Sequence, residues 1–471
     1  MEILTRHYGI LEKRILSSLA ASNLRHRTKD STGLWLGPLI GTSTLMTFLK
    51  EDSSYSEICL LTGIAGGGLI ISCICLYIRL MMKNVAAKDF HVVYFVPAII
   101  LSTLFLLVGN KGLLVSVTWG IVVGSFSTWG VIQLISSCPN CFTLGEATAV
   151  THSLVLFLVS AFTNLPLRYH LPPIHDNDII TAILQVIILY VILICCLCVN
   201  LPKLRQLPQF FLLMIGMLFT IVIPALYIIL DQNPFFWVLS FAFSTYITIF
   251  LLLYWAVCLL FALFAVKYQI SQKSKATTSN RKIFHVLVVM VYIPGLISQP
   301  TFLYLASGTV LVLFSIIELL RILNLPPLGK FLQDGFSAFV DEKDTLISLT
   351  PLYLLCGLSA TLWMPTESMG LLPLMSGALT IGVGDTAASF FGSNWGKHKW
   401  VGSQKSIEGT IACVTAQLIV IFGFATFGCI ESTSLLVRSI CSVILISLVE
   451  ARTEQVDNLA LPFLMYLCLT I

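Results

Sequence analysis

The sequence predicts an all-α, polytopic integral membrane protein of about 15 transmembrane helices. Three observations predict it. Hydrophobic residues make up 57% of the 471 and charged residues only 11%, against about 25% charged in ordinary soluble domains. Mean hydropathy is +0.93, too high for a water-soluble fold to hide its apolar surface. Apolar runs near the roughly 20 residues that a bilayer crossing needs recur from end to end, and Lys and Arg gather in short segments between them.

Residues 1–33 read as a cytosolic N-terminal tail without a cleavable leader, partly an interfacial helix in an alternative reading. Arg6, Lys13, Arg14, Arg25, Arg27 and Lys29 fall there, with no long apolar core among them. A membrane-embedded region, 34–270, follows with about eight spans. These are Leu34–Leu49, Ile58–Leu80, Val92–Val108, Leu113–Leu134, Ala147–Phe162, Ile179–Val199, Phe210–Leu230 and Phe235–Val266. The last, the longest of the eight, reads either as one tilted helix or as a broken pair. Residues 271–282, opening with the polar stretch Ser271–Asn280, form a cytosolic linker. The region 283–471 holds about seven more spans: Ile283–Ile297, Phe302–Leu320, Leu346–Trp363, Gly370–Phe391, Gly409–Phe427, Ser434–Val449 and Asp457–Ile471.

Charge fixes the expected orientation. The tail, Lys267–Lys282, the stretch after Leu320 (Arg321, Lys330, Lys343) and Ser393–Glu408 are all basic, and eight, two and two spans separate them in turn. Even counts put all four on one face, which the positive-inside rule makes cytosolic. The 14 cysteines show no disulfide spacing, and the CxxC of Cys138 and Cys141 lacks a second pair for zinc. It reads as a loop with two thiols. Asn-x-Ser/Thr acceptors are absent.

Chemistry points to Gly382–Gly409, GVGDTAASFFGSNWGKHKWVGSQKSIEG. Asp385 lies within an apolar stretch, where a carboxylate is costly and marks an ion or substrate path. Gly382, Gly384, Thr386, Ala387, Ala388 and Ser389 surround it with small side chains, which let backbone and phosphate approach closely. On a helix Asp385, Ala388, Ser389 and Gly392 share a face. The loop Ser393–Glu408 then supplies lysines, hydroxyls and glycines, as phosphate binding requires. Asp385 and Glu408 are the candidate ligands for Mg²⁺ or another divalent cation, which takes one or two carboxylates beside phosphate oxygens. The run Gly392–His398 falls one residue short of a P-loop and lacks its Ser/Thr. No βαβ unit accompanies Gly382-Val-Gly384, which excludes a dinucleotide fingerprint. Read without further context, the loop is equally a basic segment that merely obeys the positive-inside rule.

The pattern G-x-G-D-x-x-A-S-x-x-G, a basic loop, then K-[ST]-x-E-G resembles the signature of the polyprenol kinase family, closest to its branch acting on dolichol. Gly384, Asp385, Ala388, Ser389, Gly392, Gly396, Lys405, Ser406, Glu408 and Gly409 occupy it, with Ser406 where many relatives have Thr. Arg281-Lys282-Ile283-Phe284-His285 is similar to the family's R-K-x-x-H. Phe339–Asp344 resembles its acidic loop, and Leu448–Leu459 its connection to the last span. The resemblance runs from Arg281 to the C-terminus. The chain before Arg281 shares only its hydrophobicity and its many spans.

The resemblance implies phosphoryl transfer from CTP to dolichol or another long polyprenol. The product would be a lipid phosphate used as a carrier in protein glycosylation, made in the endoplasmic reticulum membrane with the loop facing the cytosol. It implies membrane lipid as a partner and no nucleic acid. The expected catalytic residues are Asp385, Lys405, Glu408 and His285. The expected nucleotide site is Ser393, Asn394, Gly396, Lys397, Lys399, Gly402, Ser403, Gln404, Lys405, Ser406, Glu408 and Gly409. Asp385 would bind metal or activate the alcohol, or instead pair helices; Glu408 would hold the metal, orient Lys405 or cap the next helix. His285 stands as a base, a phosphate contact or a core group. Secondary candidates are Arg281, Lys282, Asp341, Asp344, Glu450 and Asp457, with Glu450 and Asp457 read as ion-pair partners of Arg452 and Glu318 as partner of Arg321. Competing readings are a phytol-type kinase, a cytidylyltransferase making a CDP-lipid, and a lipid transporter. The last would show inverted repeats with broken helices.

Overall fold

The computed structural model describes residues 2–27, 31–50, 57–82, 91–170, 176–272, 278–337, 344–364, 370–430, 432–453 and 455–471. Among these the chain is helical, apart from one antiparallel bridge, Lys399 to Ser406. The helices are α1 Glu2–Ala21, α2 Leu39–Lys50, α3 Glu57–Met81, α4 His91–Leu107, α5 Leu113–Ser137, α6 Leu144–His170, α7 Asp176–Asn200, α8 Leu207–Leu230 and α9 Pro234–Ala242. There follow α10 Tyr246–Ser271, α11 Thr278–Ser298, α12 Pro300–Leu323, α13 Leu328–Ser337, α14 Leu349–Trp363, α15 Thr386–Trp395, α16 Ile407–Thr426, α17 Thr433–Arg452 and α18 Asp457–Thr470.

Ten helices among the described residues are long and apolar enough to cross a membrane, so the chain is an all-α membrane protein. The expected count of about 15 is not reached on length. Where Leu34–Leu49 was expected to span, α2 has only 12 residues, and α14 and α18 have 15 and 14. The run Phe235–Val266 is a broken pair. Asn233 caps α9 through Phe235 N–H, with Pro234 in its first turn, and Thr245 opens α10 through a reciprocal cap with Thr248. The even counts between basic segments therefore rest on short helices, and the sidedness stays a proposal.

The chain forms two compact units, one of residues 1–163 with 364–368 and 470–471, the other of 164–363 with 369–469. In the first, Leu61, Leu69, Leu101, Phe105, Val123 and Val155 make the core. The expected tail includes α1, with Ile15 and Leu19 buried. Arg27 donates to Glu146 Oε1 at 2.5 Å and to the Cys141 carbonyl at 3.0 Å. Glu146 in turn caps α6 together with Thr143, a capping box. These bonds tie the expected tail to the start of α6.

The second unit holds two cores. One packs α7, α8 and α12 around Ile183, Phe210, Leu226 and Leu320; the other gathers Tyr292, Leu358, Met375, Leu379, Val443 and Met465. The Glu318–Arg321 pair forms as its spacing predicts, with Nη2 donating to Oε1 at 2.6 Å and Nε to Oε2 at 2.8 Å. Glu318 also accepts from Ser348 N–H, and Arg321 donates to Gln333 and the Leu346 carbonyl. Both side chains are buried. Removing the acid leaves a buried guanidinium short of its partner, so Glu318→Ala is expected to cost roughly 3–5 kcal/mol. Thermal unfolding of the purified protein in detergent checks this.

Candidate active site

The segment carrying Asp385 is not an ordinary α-helix. Ala378–Asp385 is π-helical, and α15 begins at Thr386; π segments are rare and concentrate at functional sites. It packs between α11 and α16. The small residues serve this packing first. A Cβ on Gly382 would lie 2.0 Å from Val289 Cγ2, and one on Gly409 would lie 2.9 Å from the Ala388 carbonyl. Glycine therefore sets the helix spacing here, the backbone half of the close approach expected of these residues. Asp385 ends the π segment fully inside the fold.

Asp385 borders a 510 Å³ cavity also lined by Arg281, Lys282, His285, Lys399, Lys405, Glu450 and Asp457. Four Lys and Arg thus face three carboxylates. Lys282 Nζ donates to Asp385 Oδ2. His285 Nε2 stands 3.6 Å from the same oxygen, too far for a hydrogen bond. Lys405 donates to Glu450 Oε1 at 3.0 Å. Burial works against the Lys405 charge, but Glu450, then Asp457 and Asp385, overcome it and raise its pKa. Lys405 is therefore cationic throughout the physiological range.

The loop that carries Lys405 is a hairpin. Trp400 N–H donates to the Lys405 carbonyl at 3.0 Å and Ile407 N–H to the His398 carbonyl at 2.8 Å. Gly402 turns it at φ 77°, a conformation that favours glycine. Ser406 caps α16 by accepting from Gly409 N–H. Of the expected nucleotide residues, Ser393, Gly396, Lys399, Gln404, Lys405, Ser406 and Gly409 line the cavity; Asn394, Lys397, Gly402, Ser403 and Glu408 do not. Glu408 is the main correction. Its carboxylate pairs with His398 Nδ1 at 2.7 Å and accepts from His398 N–H, so it closes the hairpin base in the first turn of α16 and is not beside Asp385. Asp385 and Glu408, the expected metal pair, do not line one cavity.

Arg281, Lys282, Glu450 and Asp457 come to the cavity from three helices. The expected pairing with Arg452 is replaced: Glu450 takes Lys405, and the Arg452 guanidinium lies over the Trp400 ring at 5.6 Å. Asp344 caps α14 through the N–H groups of Leu349 and Thr350, and Asp341 lies outside the described residues. Val456 and Asn458, within the expected Leu448–Leu459 stretch, also line the cavity, as do Thr350 and Thr410, which were missed. Nothing in the spacing of these two threonines marks them.

Among the described residues no three His, Cys, Asp or Glu side chains form a ready metal cage. What the cavity offers is hard carboxylate oxygen from Asp385, Glu450 and Asp457. That donor set fits a divalent ion whose remaining ligands are phosphate oxygens and water.

The family model described as dolichol kinase matches residues 125–351. The likeness therefore begins far before Arg281, correcting the expectation that this earlier part shares only hydrophobicity. The chain is 37% identical to human dolichol kinase over 268 residues, 53% of this chain and 50% of that protein. It is 33% identical to the Bos taurus dolichol kinase over 362 residues, 71% and 66%, and 30% to that of Saccharomyces cerevisiae over 244 residues, 50% and 45%. The chain spans about half the length of most of the curated relatives it matches. No solved structure matches. The chain belongs to the dolichol kinase family.

Proposed function

We propose that the protein phosphorylates dolichol, or a similar long polyprenol, with CTP as donor. The carrying observation is the Asp385–Lys282 pair facing Lys405 and Glu450 across one cavity. Phosphoryl transfer asks chiefly for positioning and charge neutralisation. Both lysines are held by carboxylates. Phosphate oxygens arriving in the cavity would take over Lys282, Lys405, Lys399 and Arg281, and free Asp385 and Glu450. One or two of the carboxylates Asp385, Glu450 and Asp457 would hold a divalent ion, which supplies further neutralisation of the phosphates when bound. Asp385 or His285 would receive the hydroxyl proton. Products would be the lipid phosphate and CDP. CTP in place of ATP rests on the family alone, as does an endoplasmic reticulum location. A cytosolic face for Ser393–Glu408 rests on the basic segments.

Product analysis tests the reading first. Purified protein with labelled CTP, Mg²⁺ and dolichol is expected to yield dolichyl phosphate and CDP; release of pyrophosphate would favour a cytidylyltransferase. Asp385→Asn is expected to lower turnover at least about 100-fold, as does loss of a preorganised charge in other sites. Lys405→Gln is expected to raise KM for CTP roughly tenfold or more, the worth of a bond to a charged group. Glu450→Gln should damage turnover more than Glu408→Gln, because only Glu450 lines the cavity. Steady-state kinetics on correctly folded variants check these substitutions.

A further inference from the structure

Helix α11 has two working faces. Lys282 and His285 turn toward Asp385, and Val289 meets Gly382 on the same side. On the opposite side Ile283, Phe284, Leu287 and Met290 form one wall of a 410 Å³ cleft, and Phe261 and Phe264 of α10 form the other. The Phe261 and Phe264 rings are exposed, so the cleft opens sideways where lipid would lie. Its polar end is lined by Asn280, which donates to Gln269 Oε1 at 2.9 Å, immediately before Arg281 of the charged cavity. That cavity, by contrast, is lined by Arg281, Lys282, Lys405 and three carboxylates, and an isoprenoid chain entering it would displace polar partners from buried charges at a cost.

We infer that the cleft between α10 and α11 is the binding site for the isoprenoid chain of the acceptor alcohol, an inference that rests on the kinase reading above. The chain lies against the phenylalanines. Its hydroxyl end passes Asn280 and rounds the first turn of α11, a path of about one helix diameter, roughly 10 Å. The cleft is of the size typical of ligand pockets. It holds the segment of chain nearest the hydroxyl, leaving the rest in the bilayer.

The test uses the full chain in membranes and a dolichol carrying a diazirine three isoprene units from its hydroxyl. Photolabel is expected on peptides containing Phe261–Gln269 and Ile283–Met290, displaced by unlabelled dolichol. Leu287→Trp, which fills the cleft, is expected to abolish this label and raise KM for dolichol about tenfold or more, with KM for CTP changed less than about twofold. Should that variant fail to accumulate, Phe284→Ala is expected to weaken the label in the same direction. Label mapping elsewhere, or a diazirine phospholipid that labels the cleft and is not displaced by dolichol, overturns the inference. Labelling needs no nucleotide. Displaceable label in a protein that forms no lipid phosphate from CTP would keep the cleft and sink the kinase reading instead.

Discussion

The buried ion pair between Lys282 and Asp385 is the constraint from which the catalytic unit follows. A carboxylate at that depth is tolerable only with a cation in contact. The cation has to come from α11, and α11 can approach only because Gly382 has no side chain to meet Val289. The π-helical turn before Thr386 then sets Asp385 at the cavity rim. Lys405 and Glu450 repeat the arrangement from a hairpin and a helix end. Two cation–carboxylate pairs thus stand ready in one polar chamber, inside a unit whose other helices are almost wholly apolar.

Such a chamber is poised for exchange. Each pair neutralises itself, which keeps charged groups stable among apolar helices. Each can be opened by a ligand bringing both signs of charge, phosphate oxygens for the lysines and a divalent ion for the acids. The amphipathic split of α11 supplies a reason for the chain and the phosphate to be handled on opposite sides of one helix.

Asp385 and Lys405 were legible as neighbours of one polar site because an acid in an apolar, glycine-rich stretch followed by a basic loop is unusual in so apolar a chain. The Glu318–Arg321 pair followed from helical spacing. Glu408 was misplaced because its direction depends on His398, at the other strand of the hairpin, and residue type does not reveal which way a first-turn carboxylate turns. Glu450 was underrated for a similar reason: Arg452 is its neighbour in sequence, but Trp400 holds that guanidinium. The count of about 15 spans is not confirmed, because the runs Leu34–Leu49, Leu346–Trp363 and Asp457–Ile471 carry helices of 12, 15 and 14 residues among the described residues.

The most direct measurement is equilibrium binding of labelled CTP with Mg²⁺ to correctly folded Lys282→Gln and Lys203→Gln proteins in detergent. Lys282→Gln is expected to weaken binding roughly tenfold or more, while the exposed Lys203 is replaced without effect. Equal CTP affinity in Lys282→Gln and the unsubstituted protein, in a preparation that phosphorylates dolichol, would contradict a phosphate-binding role for the Lys282–Asp385 pair.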